Sequence, residues 1–566
     1  MLEEAHASSV STAAQDTETE SARTTAPEVP APRSPEPDSE AGAGPAGPEW
    51  VRTALRRRRH VLGVGLIAAV SAVMYATYML VMNASLKDGL PDVGEFDQAV
   101  SGYAHFHGPD SPFVGLRSLG NAGVSQLSDH FTPLLALLAP GYWIYDGPQT
   151  LLIETAILAV LPMIPLWIFA RRALNTPSAY LVIIGYALSW PLQEALWFEF
   201  HEVFIAMPIM AWMLERAQAG KRLQAALVSL LLLGVKDDMG FVVAVFGVYL
   251  ATKDLTVRQW LGFAGRPLES LRRLRGRPGR WLPLVLVPAG LLMVSIVGSV
   301  IIPHFGGSPS RDFSYNEFGA TQSQALHAMI EHPLHVLHVL VGNHTKRHTL
   351  LMLLVPTAFL ALCSPIALLA VPLLLERFLS DNSLYWGMPL HYNAFVVVIL
   401  LCASIDAAAR IARWIAAQRR VEHLPRLRPV LTTAFAGYVA LFAIATAYRY
   451  PLAQMDRASF WNGPSRPVVT AAMAAVDHVP ANTLVAAASV VGPQLLHKDR
   501  VIMWSFPGDR GYPATPWVLA YVGYTSWPFP SIAAQQSDVA GMLAHGYQEV
   551  FQDDGWIVLH NPAIVP

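Results

Sequence analysis

Long apolar runs recur along the chain and decide what it can fold into. About 20 apolar residues in a helix cross the roughly 30 Å of hydrocarbon in a bilayer, where only helices and closed barrels satisfy the backbone. Only 14% of the residues are charged, against about a quarter in soluble proteins. The sequence therefore predicts an α-helical polytopic membrane protein. The clearest runs cover residues 61–82, 149–170, 179–197, 282–302, 393–411 and 430–448.

The N-terminal tail sets the predicted orientation. Residues 1–58 are acidic and proline-rich, and the segment RTALRRRRH (52–60) stands directly before the first span. The tail composition predicts disorder, and positive charge beside a span predicts the cytoplasmic side of the membrane. The first loop, residues 83–130, then lies outside the cell. Its stretch FTPLLALLAPGYWIY is short and broken by proline, which favours a helix that dips into the outer face.

Two further segments decide the number of spans. The basic loop 253–281 stays inside only if residues 223–252 form two short spans hinged at VKDDMG. The basic segment 410–420 stays inside only if residues 349–379 form two spans broken at CSP. One further span runs between FEFHE (198–202) and ERAQAGKR (215–222). The prediction is therefore about eleven spans within residues 59–448, in the plasma (cell) membrane.

Residues 449–566 follow the last predicted span and have a different pattern. TLVAAASVV and GWIVLHN are typical of strands, and SDVAGMLAHGYQEVF is typical of a helix that leads into a strand. This pattern predicts a small extracytoplasmic α/β domain. The segment has no glycine-rich phosphate loop and no nucleophile elbow, so we expect it to be a structural or acceptor-guiding cap.

Polar and ionisable residues gather at the predicted outer ends of the spans. Ionisable groups at membrane depth are costly, and they usually face a cavity or one another. The pattern predicts one polar cleft about 15 Å across, whereas solvated loop positions are the alternative for each residue alone. The members are Asp92, Glu95 and Asp97 in PDVGEFDQAV, His130 in the same loop, Glu199 and His201 in FEFHE, Lys236, Asp237 and Asp238 in VKDDMG, and His391 and Tyr392 in HYN.

A histidine-rich segment, residues 327–348, allows two interpretations. The spacing of His332, His335 and His338 puts them on one helical face, as zinc binding would require. No carboxylate or cysteine pattern completes a recognised site, and HPLHVLHVL also has the pattern of an interfacial amphipathic helix. Both interpretations stay open.

Six motifs occur in a characteristic order: DVGEFDQAV, HFTPLLALLAPGYWIY, FEFHE, VKDDMG, LLLERFLSDNSLYW and HYN. Over residues 60–560 this order resembles the bacterial membrane-protein family known as domain of unknown function 2079. That family usually has Lys-Glu-Asp where this chain has Lys236-Asp237-Asp238, and proline where this chain has Glu202. The family in turn is similar to the GT-C glycosyltransferases, polytopic enzymes whose first outer loop is acidic and whose donor is a sugar on a polyprenyl phosphate.

The resemblance implies transfer of a sugar from a polyprenyl-phosphate donor to a glycan, lipid or protein acceptor on the outer face of the membrane. Such a transfer needs a carboxylate for the acceptor proton and a cation or metal for the departing phosphate. We expect Asp97, or second Asp92, to be the base, with Glu95 solvated. We expect Lys236 to hold the phosphate, and Mg²⁺ or Mn²⁺ is the cofactor that this chemistry would admit.

Two other classes of protein fit an outward polar cleft. A secondary transporter would carry its site near the midplane, on broken helices within internal repeats, and no repeat is recognisable in the sequence. A non-catalytic envelope or scaffold protein would not require the acidic loop, Lys236 and His391 to converge. Nucleic acid is not an expected partner, because no basic stripe with interleaved aromatic residues is present.

Overall fold

The computed structural model describes residues 49–114, 125–255, 282–308, 313–418, 421, 423–504 and 515–564, with side chains from residue 58 onward. The chain divides into two compact units, residues 1–58 and 59–566. Most of the predicted tail and most of the basic loop 253–281 lie outside the described residues. The disorder and the cytoplasmic side predicted for them stay predictions.

Helices make up most of the described chain. Many have proline in the first turn, where its missing N–H is not needed, and Asn175 caps α6 by accepting a hydrogen bond from the Ser178 N–H at 2.9 Å. The α-helices are α1 Glu49–Ala84, α2 Leu90–Ala104, α3 Ala139–Tyr142, α4 Pro148–Val160, α5 Met163–Ala173, α6 Thr176–Ala187, α7 Trp190–Trp197, α8 Val203–Gln218, α9 Arg222–Leu230, α10 Met239–Thr252, α11 Leu286–Ile296, α12 Ile302–His304, α13 Gln322–Glu331, α14 Pro333–Gly342, α15 His344–Leu354, α16 Val371–Leu379, α17 Ala394–Ala416, α18 Leu427–Ala447, α19 Ala458–Trp461, α20 Pro467–Asp477 and α21 Ile532–Ala544.

Within the described residues, five helical segments are long and apolar enough to cross a membrane. Each coincides with a predicted span, and the chain is a helical membrane protein. The other predicted spans correspond to shorter helices, so the count of eleven is not confirmed and stays a prediction, as does the orientation. The five segments are Arg58–Ala84, Pro148–Ala173, Leu282–His304, His391–Ala416 and Leu427–Ala447.

The two predicted interruptions differ in form. At VKDDMG, α9 continues into a 3₁₀ segment, Leu231–Gly234, and the chain turns before α10 begins, as expected for a hinge. The interruption at CSP is wider than predicted, because 3₁₀ segments fill the chain between α15 and α16 and Ala358 and Phe359 adopt a left-handed conformation. Pro356 and Pro365 lack the backbone donors that a continuous α-helix would need there.

The C-terminal part contains a five-stranded sheet in the order β2-β1-β3-β5-β4. β1, β4 and β5 lie in the stretches that the sequence predicted to form strands, whereas β2 and β3 were not predicted. β1 is parallel to β2 and β3, while β5 is antiparallel to β3 and β4. Asp554 and Gly555, both at positive φ, form the tight turn between β4 and β5, which is a common hairpin sequence. The strands are β1 Leu484–Ala487, β2 Arg500–Met503, β3 Trp517–Tyr521, β4 Gln548–Asp553 and β5 Trp556–His560.

Helix α2 joins the helical part of the protein to this sheet. Leu90 packs in the core around the sheet, whereas Phe96 packs in the core of the helical part. The Leu90 N–H donates to the Ser489 carbonyl at 3.0 Å, and Gln98 Nε2 donates to the Val501 carbonyl at 3.0 Å. The helix that carries the acidic cluster is therefore fixed on both sides.

Candidate functional site

One cavity of about 760 Å³ lies where several of the predicted polar segments meet. Pockets that hold small organic ligands have about 300–1,000 Å³. Seven of the predicted site residues line it, together with polar residues that the sequence analysis did not assign. The predicted residues that line it are His130, His201, Lys236, Asp237, Asp238, His391 and Tyr392, and the additional polar residues include Asp129, Tyr315, Glu376, Arg377 and Tyr385.

A buried lysine–glutamate pair forms the centre of the polar wall. Glu202, just before α8, is completely buried; its Oε1 lies 3.0 Å from Lys236 Nζ, and its Oε2 contacts His201 Nδ1. Burial alone would raise the pKa of Glu202, but His201 and the Lys236 cation outweigh it and hold the pKa well below its usual range. Burial would likewise lower the pKa of Lys236, yet the charges of Glu202 and the adjacent aspartates raise this pKa well above its usual value. Lys236 is therefore a permanent cation in the cavity.

A histidine–aspartate pair stands beside it. His130 Nδ1 lies 3.3 Å from Asp237 Oδ1. Burial alone would lower the pKa of His130, but the hydrogen bond and charge of Asp237 raise it to about 9. Burial opposes ionisation of Asp237 too, and His130 and Lys236 nevertheless lower its pKa. His130 is thus a second cation at neutral pH.

Asp238 and Glu376 bring two carboxyl groups together on the cavity wall. Asp238 ends the turn before α10, Glu376 lies in α16, and both line the cavity. Two carboxyl groups in one site disfavour ionisation of both at once. Burial raises the pKa of Asp238 to about 6, although Lys236 opposes the shift. The pair can accept a proton near neutral pH.

Arg377 holds the loop 380–393 against the cavity. It is buried, and its guanidinium donates to the carbonyls of Tyr385 (2.9 Å), Gly387 (3.3 Å) and Tyr392 (3.1 Å) and to Asn393 Oδ1 (2.9 Å). All four acceptors are uncharged. The sequence analysis missed this cation and its neighbour Glu376, although ERF at the end of an apolar run in LLLERFLSDNSLYW was a usable signal.

Two imidazole rings lie face to face at another side of the cavity. The centroids of His201 and His391 are 3.4 Å apart, and the ring planes differ by 17°. Tyr392 lies against His391 with a centroid separation of 4.1 Å. These residues come from FEFHE and HYN, so the predicted convergence of those two motifs is present in the fold.

The acidic cluster of PDVGEFDQAV is divided by the helix that contains it. PDVG is the first turn of α2 rather than a separate turn. At about 100° per residue, Asp97 points roughly 140° away from Asp92. The prediction that Glu95 is solvated was wrong: it is 5% exposed, and its Oε1 accepts a hydrogen bond from Gln126 Nε2 at 3.4 Å. Glu95 is buried because α2 packs against the helical part of the protein on one side and against the C-terminal sheet on the other.

Asp97 lies apart from the cavity. Its Oδ1 accepts a hydrogen bond from the Tyr142 hydroxyl at 2.7 Å, and it lines a second pocket of about 220 Å³ shared with the C-terminal part. Burial raises the pKa of Asp97 to about 7, although the Tyr142 bond opposes the shift. The neighbouring Phe96, in contrast, contacts His201 with a ring separation of 5.3 Å. The predicted common cleft therefore forms without Asp97.

Asp92 and Glu199 are also absent from the residues that line the cavity. Glu199 is buried at a φ of 71°, and its Oε1 accepts a hydrogen bond from the Gly89 N–H at 2.7 Å. Burial, followed by the charges of Asp88 and Asp92, raises the pKa of Glu199 well above its usual range. Glu199 therefore holds the start of α2 in place.

In the part of the chain that the structure describes, no three His, Cys, Asp or Glu side chains are grouped so that they could hold a metal ion. His332, His335 and His338 are exposed. Mg²⁺ is often held by one or two carboxylates together with a substrate phosphate, so the expected Mg²⁺ or Mn²⁺ stays a prediction, as does the zinc interpretation of the histidines.

Comparisons with known proteins agree with the resemblance seen in the motifs. Residues 83–558 match the family described as "Predicted membrane protein (DUF2079)". No functionally curated protein matches the chain.

Two solved structures of GT-C glycosyltransferases are similar in fold. One is ArnT from Cupriavidus metallidurans bound to undecaprenyl phosphate, with 14% identity, a TM-score of 0.44, and coverage of 88% of this chain and 98% of that one. The other is the Archaeoglobus fulgidus oligosaccharyltransferase tethered with an acceptor peptide, with 12% identity, a TM-score of 0.39, and coverage of 87% and 74%. These similarities are loose and concern the fold alone.

Proposed function

The chain belongs to the DUF2079 family of predicted membrane proteins, and from the chemistry of its cavity we propose that it transfers a sugar from a polyprenyl-phosphate donor to an acceptor hydroxyl. The observation that carries the proposal is the composition of that single cavity. Three cationic side chains and a pair of carboxyl groups share it with an apolar wall. A lipid with an anionic head group matches this cavity, because its head group would face the cationic side chains and its hydrocarbon chain would lie along the apolar wall.

The cationic side chains would bind the phosphate. Lys236, His130 and Arg377 all line the cavity, and hydrogen bonds from charged donors to phosphate are roughly twice as strong as neutral ones. Glu202 and Asp237 hold two of these cations in position before any ligand binds. The site is therefore organised for an anion without needing to rearrange.

The apolar wall would accommodate the start of the polyprenyl chain. Phe241, Val294, Ile302, Leu373 and Phe395 line this wall. They belong to helices of the membrane part, so a chain leaving the cavity on this side would remain in apolar surroundings. A water-soluble nucleotide sugar would leave this wall without a partner, which favours a lipid donor.

We assign Asp238 as the general base. The acceptor oxygen attacks the anomeric carbon while the bond from that carbon to the phosphate oxygen breaks, and the phosphate keeps the electron pair. The acceptor proton passes to Asp238, whose pKa of about 6 suits a base at neutral pH. Lys236 faces the charge that develops on the leaving phosphate. The base expected from the sequence, Asp97, lies outside this cavity.

A secondary transporter is the second candidate, because one observation favours it. Lys236, Asp237 and Asp238 stand between two short helical pieces, and charged groups at a broken helix are typical of transporter sites. The two functions differ in their product. A transporter releases its ligand unchanged on the other side of the membrane, whereas a glycosyltransferase releases polyprenyl phosphate without its sugar.

The test uses the purified full-length protein in lipid nanodiscs, incubated with a panel of undecaprenyl-phosphate hexoses and short alkyl glycosides as acceptors. We expect undecaprenyl phosphate to appear, measured by liquid chromatography and mass spectrometry. Asp238→Asn should reduce the rate by about 10²–10⁴-fold, the usual contribution of a general base.

Two control variants complete this experiment. Asp97→Asn, in the second pocket, and Lys221→Gln, at an exposed lysine, should retain activity close to that of the unmodified protein. The proposal would be contradicted if every donor of the panel were recovered intact. It would also be contradicted if Asp97→Asn lost activity while Asp238→Asn kept it. Uptake of intact donor into proteoliposomes without release of undecaprenyl phosphate would support the transporter instead.

A further inference from the structure

His391 is a buried polar side chain whose hydrogen-bonding groups are unused. It is 2% exposed, it lines the cavity, and neither of its ring nitrogens has a hydrogen-bond partner among the residues that the structure describes. Buried polar groups almost always have a partner, and leaving one unsatisfied destabilises the fold. A side chain kept in this state at the wall of a cavity is placed to bind a ligand.

The surroundings of His391 favour the neutral form of its ring. His201 is stacked on it at 3.4 Å, and two imidazolium ions in that arrangement would repel each other. Lys236 and Arg377 line the same cavity and would also repel an imidazolium ion. A neutral imidazole has one donor and one acceptor nitrogen, which are the complements of a hydroxyl group.

Aromatic rings beside His391 add a flat surface. Tyr392 lies 4.1 Å from His391 between ring centroids, and Tyr385 lies 5.1 Å from Tyr392. Both tyrosines line the cavity. This end differs from the end formed by His130 and Lys236, because its polar groups are uncharged hydrogen-bonding atoms on aromatic rings.

We propose that this aromatic end of the cavity binds the sugar ring of the donor, that His391 hydrogen-bonds a sugar hydroxyl, and that the donor sugar is uncharged. This inference rests on the proposed function and deepens it. An ammonium or a carboxylate on the sugar would lie against aromatic rings and uncharged hydrogen-bonding atoms at this end of the cavity, where burial of an unpaired charge is costly. A neutral polyhydroxylated ring needs no ionic partner there and satisfies His391.

The test compares the dissociation constants of undecaprenyl phosphate and of undecaprenyl-phosphate hexose, measured on the full-length protein in nanodiscs. We expect the hexose to bind at least tenfold more tightly than the bare lipid, and analogues with an amino sugar or a uronic acid to lose this preference. In His391→Phe, which keeps a flat ring, the affinity for the bare lipid should be unchanged and the tenfold preference should disappear.

Stability provides a second, independent readout. Because His391→Phe removes two unsatisfied polar atoms, its thermal midpoint without ligand should equal or exceed that of the unmodified protein. His391→Gln, which restores a donor and an acceptor without the ring, should retain part of the preference for the hexose. The control His107→Phe, at an exposed histidine, should change neither quantity.

The outcomes separate the two proposals. If the bare lipid fails to bind the unmodified protein, the proposed function itself fails, and this inference fails with it. If the bare lipid binds but the hexose gains no affinity, or if His391→Phe keeps the full preference, the sugar assignment alone is overturned. Equal affinity for the neutral and the charged sugars would overturn the claim that the donor sugar is uncharged.

Discussion

Replacing Lys236 by methionine should destabilise the protein strongly, because it removes the cation that pairs with Glu202 Oε1 in the interior and leaves His201 as the remaining contact of that carboxylate. The Glu202 side chain is completely buried, and its Oε1 lies 3.0 Å from Lys236 Nζ. Removing one partner of a buried ion pair costs about 3–5 kcal/mol, equivalent to roughly 10²- to 10⁴-fold in the folding equilibrium. Lys221→Met, at an exposed lysine, should change stability by less than about 0.5 kcal/mol.

The effect of Lys236→Met should depend on pH. The pKa of Glu202 is depressed in the folded protein, so its stabilising contribution is present above the unfolded pKa of about 4.3 and is lost as the pH falls. Lys236→Met removes one of the groups that lower this pKa and leaves His201 and His130 in place, so the folded pKa of Glu202 should rise and part of its contribution should be lost. The difference in thermal midpoint between the two proteins should therefore be nearly constant above the unfolded pKa and should shrink as the pH falls below about 4.3.

A double-mutant cycle tests the cause. Glu202→Gln removes the charge with little change in shape, so the double variant Lys236→Met/Glu202→Gln should be more stable than Lys236→Met alone. We expect a coupling energy of about 1–3 kcal/mol, as found for groups in direct contact. Additive effects, or a Lys236→Met midpoint at pH 7.5 equal to that of Lys221→Met, would refute the reasoning.

Two further predictions concern the other cations of the cavity. Because the pKa of His130 is raised to about 9, its stabilising contribution is complete below about pH 6.5 and is lost as the pH rises through 9. Thermal midpoints of Asp237→Asn should change less over this window than those of the unmodified protein, and equal slopes would contradict the pairing. Arg377→Lys should expose the loop 380–393 to proteolysis, because one ammonium cannot replace a guanidinium bonded to several acceptors. Arg347→Lys, at an exposed arginine that donates to two carbonyls, should leave the protease pattern unchanged, and identical patterns for both variants would count against this role of Arg377.

The cavity was predictable from sequence to the extent that buried charges require partners. VKDDMG stands between two apolar segments, so its charges had to face one another or a cavity. In the structure Lys236 pairs with Glu202 and His130 pairs with Asp237. The position of these segments at the outer ends of the predicted spans predicted that they would meet, although it did not identify which residues would pair.

The orientation of the acidic cluster was not predictable, because distant contacts decide it. Which face of α2 points to the cavity depends on the bonds from Leu90 to Ser489 and from Gln98 to Val501. These partners lie about 400 residues away along the chain, in strands and loops whose positions local periodicity does not reveal. Asp97 therefore faces the second pocket instead of the site expected for a base.

Arg377 escaped the sequence analysis for a related reason. A single arginine at the end of an apolar run has the pattern of a span terminus, and the sequence does not show which groups it contacts. Its acceptors are carbonyl groups of the loop 380–393. They converge only after that loop has folded back over the guanidinium.

Binding of a polyprenyl-phosphate head group in the cavity around Lys236 can be observed directly by cryo-electron microscopy of the full-length protein with undecaprenyl phosphate. We expect phosphate density within hydrogen-bonding distance of Lys236 and His130, with the hydrocarbon chain along Val294 and Ile302. Phosphate density in the second pocket beside Asp97, or none in the cavity when the lipid is saturating, would contradict this expectation.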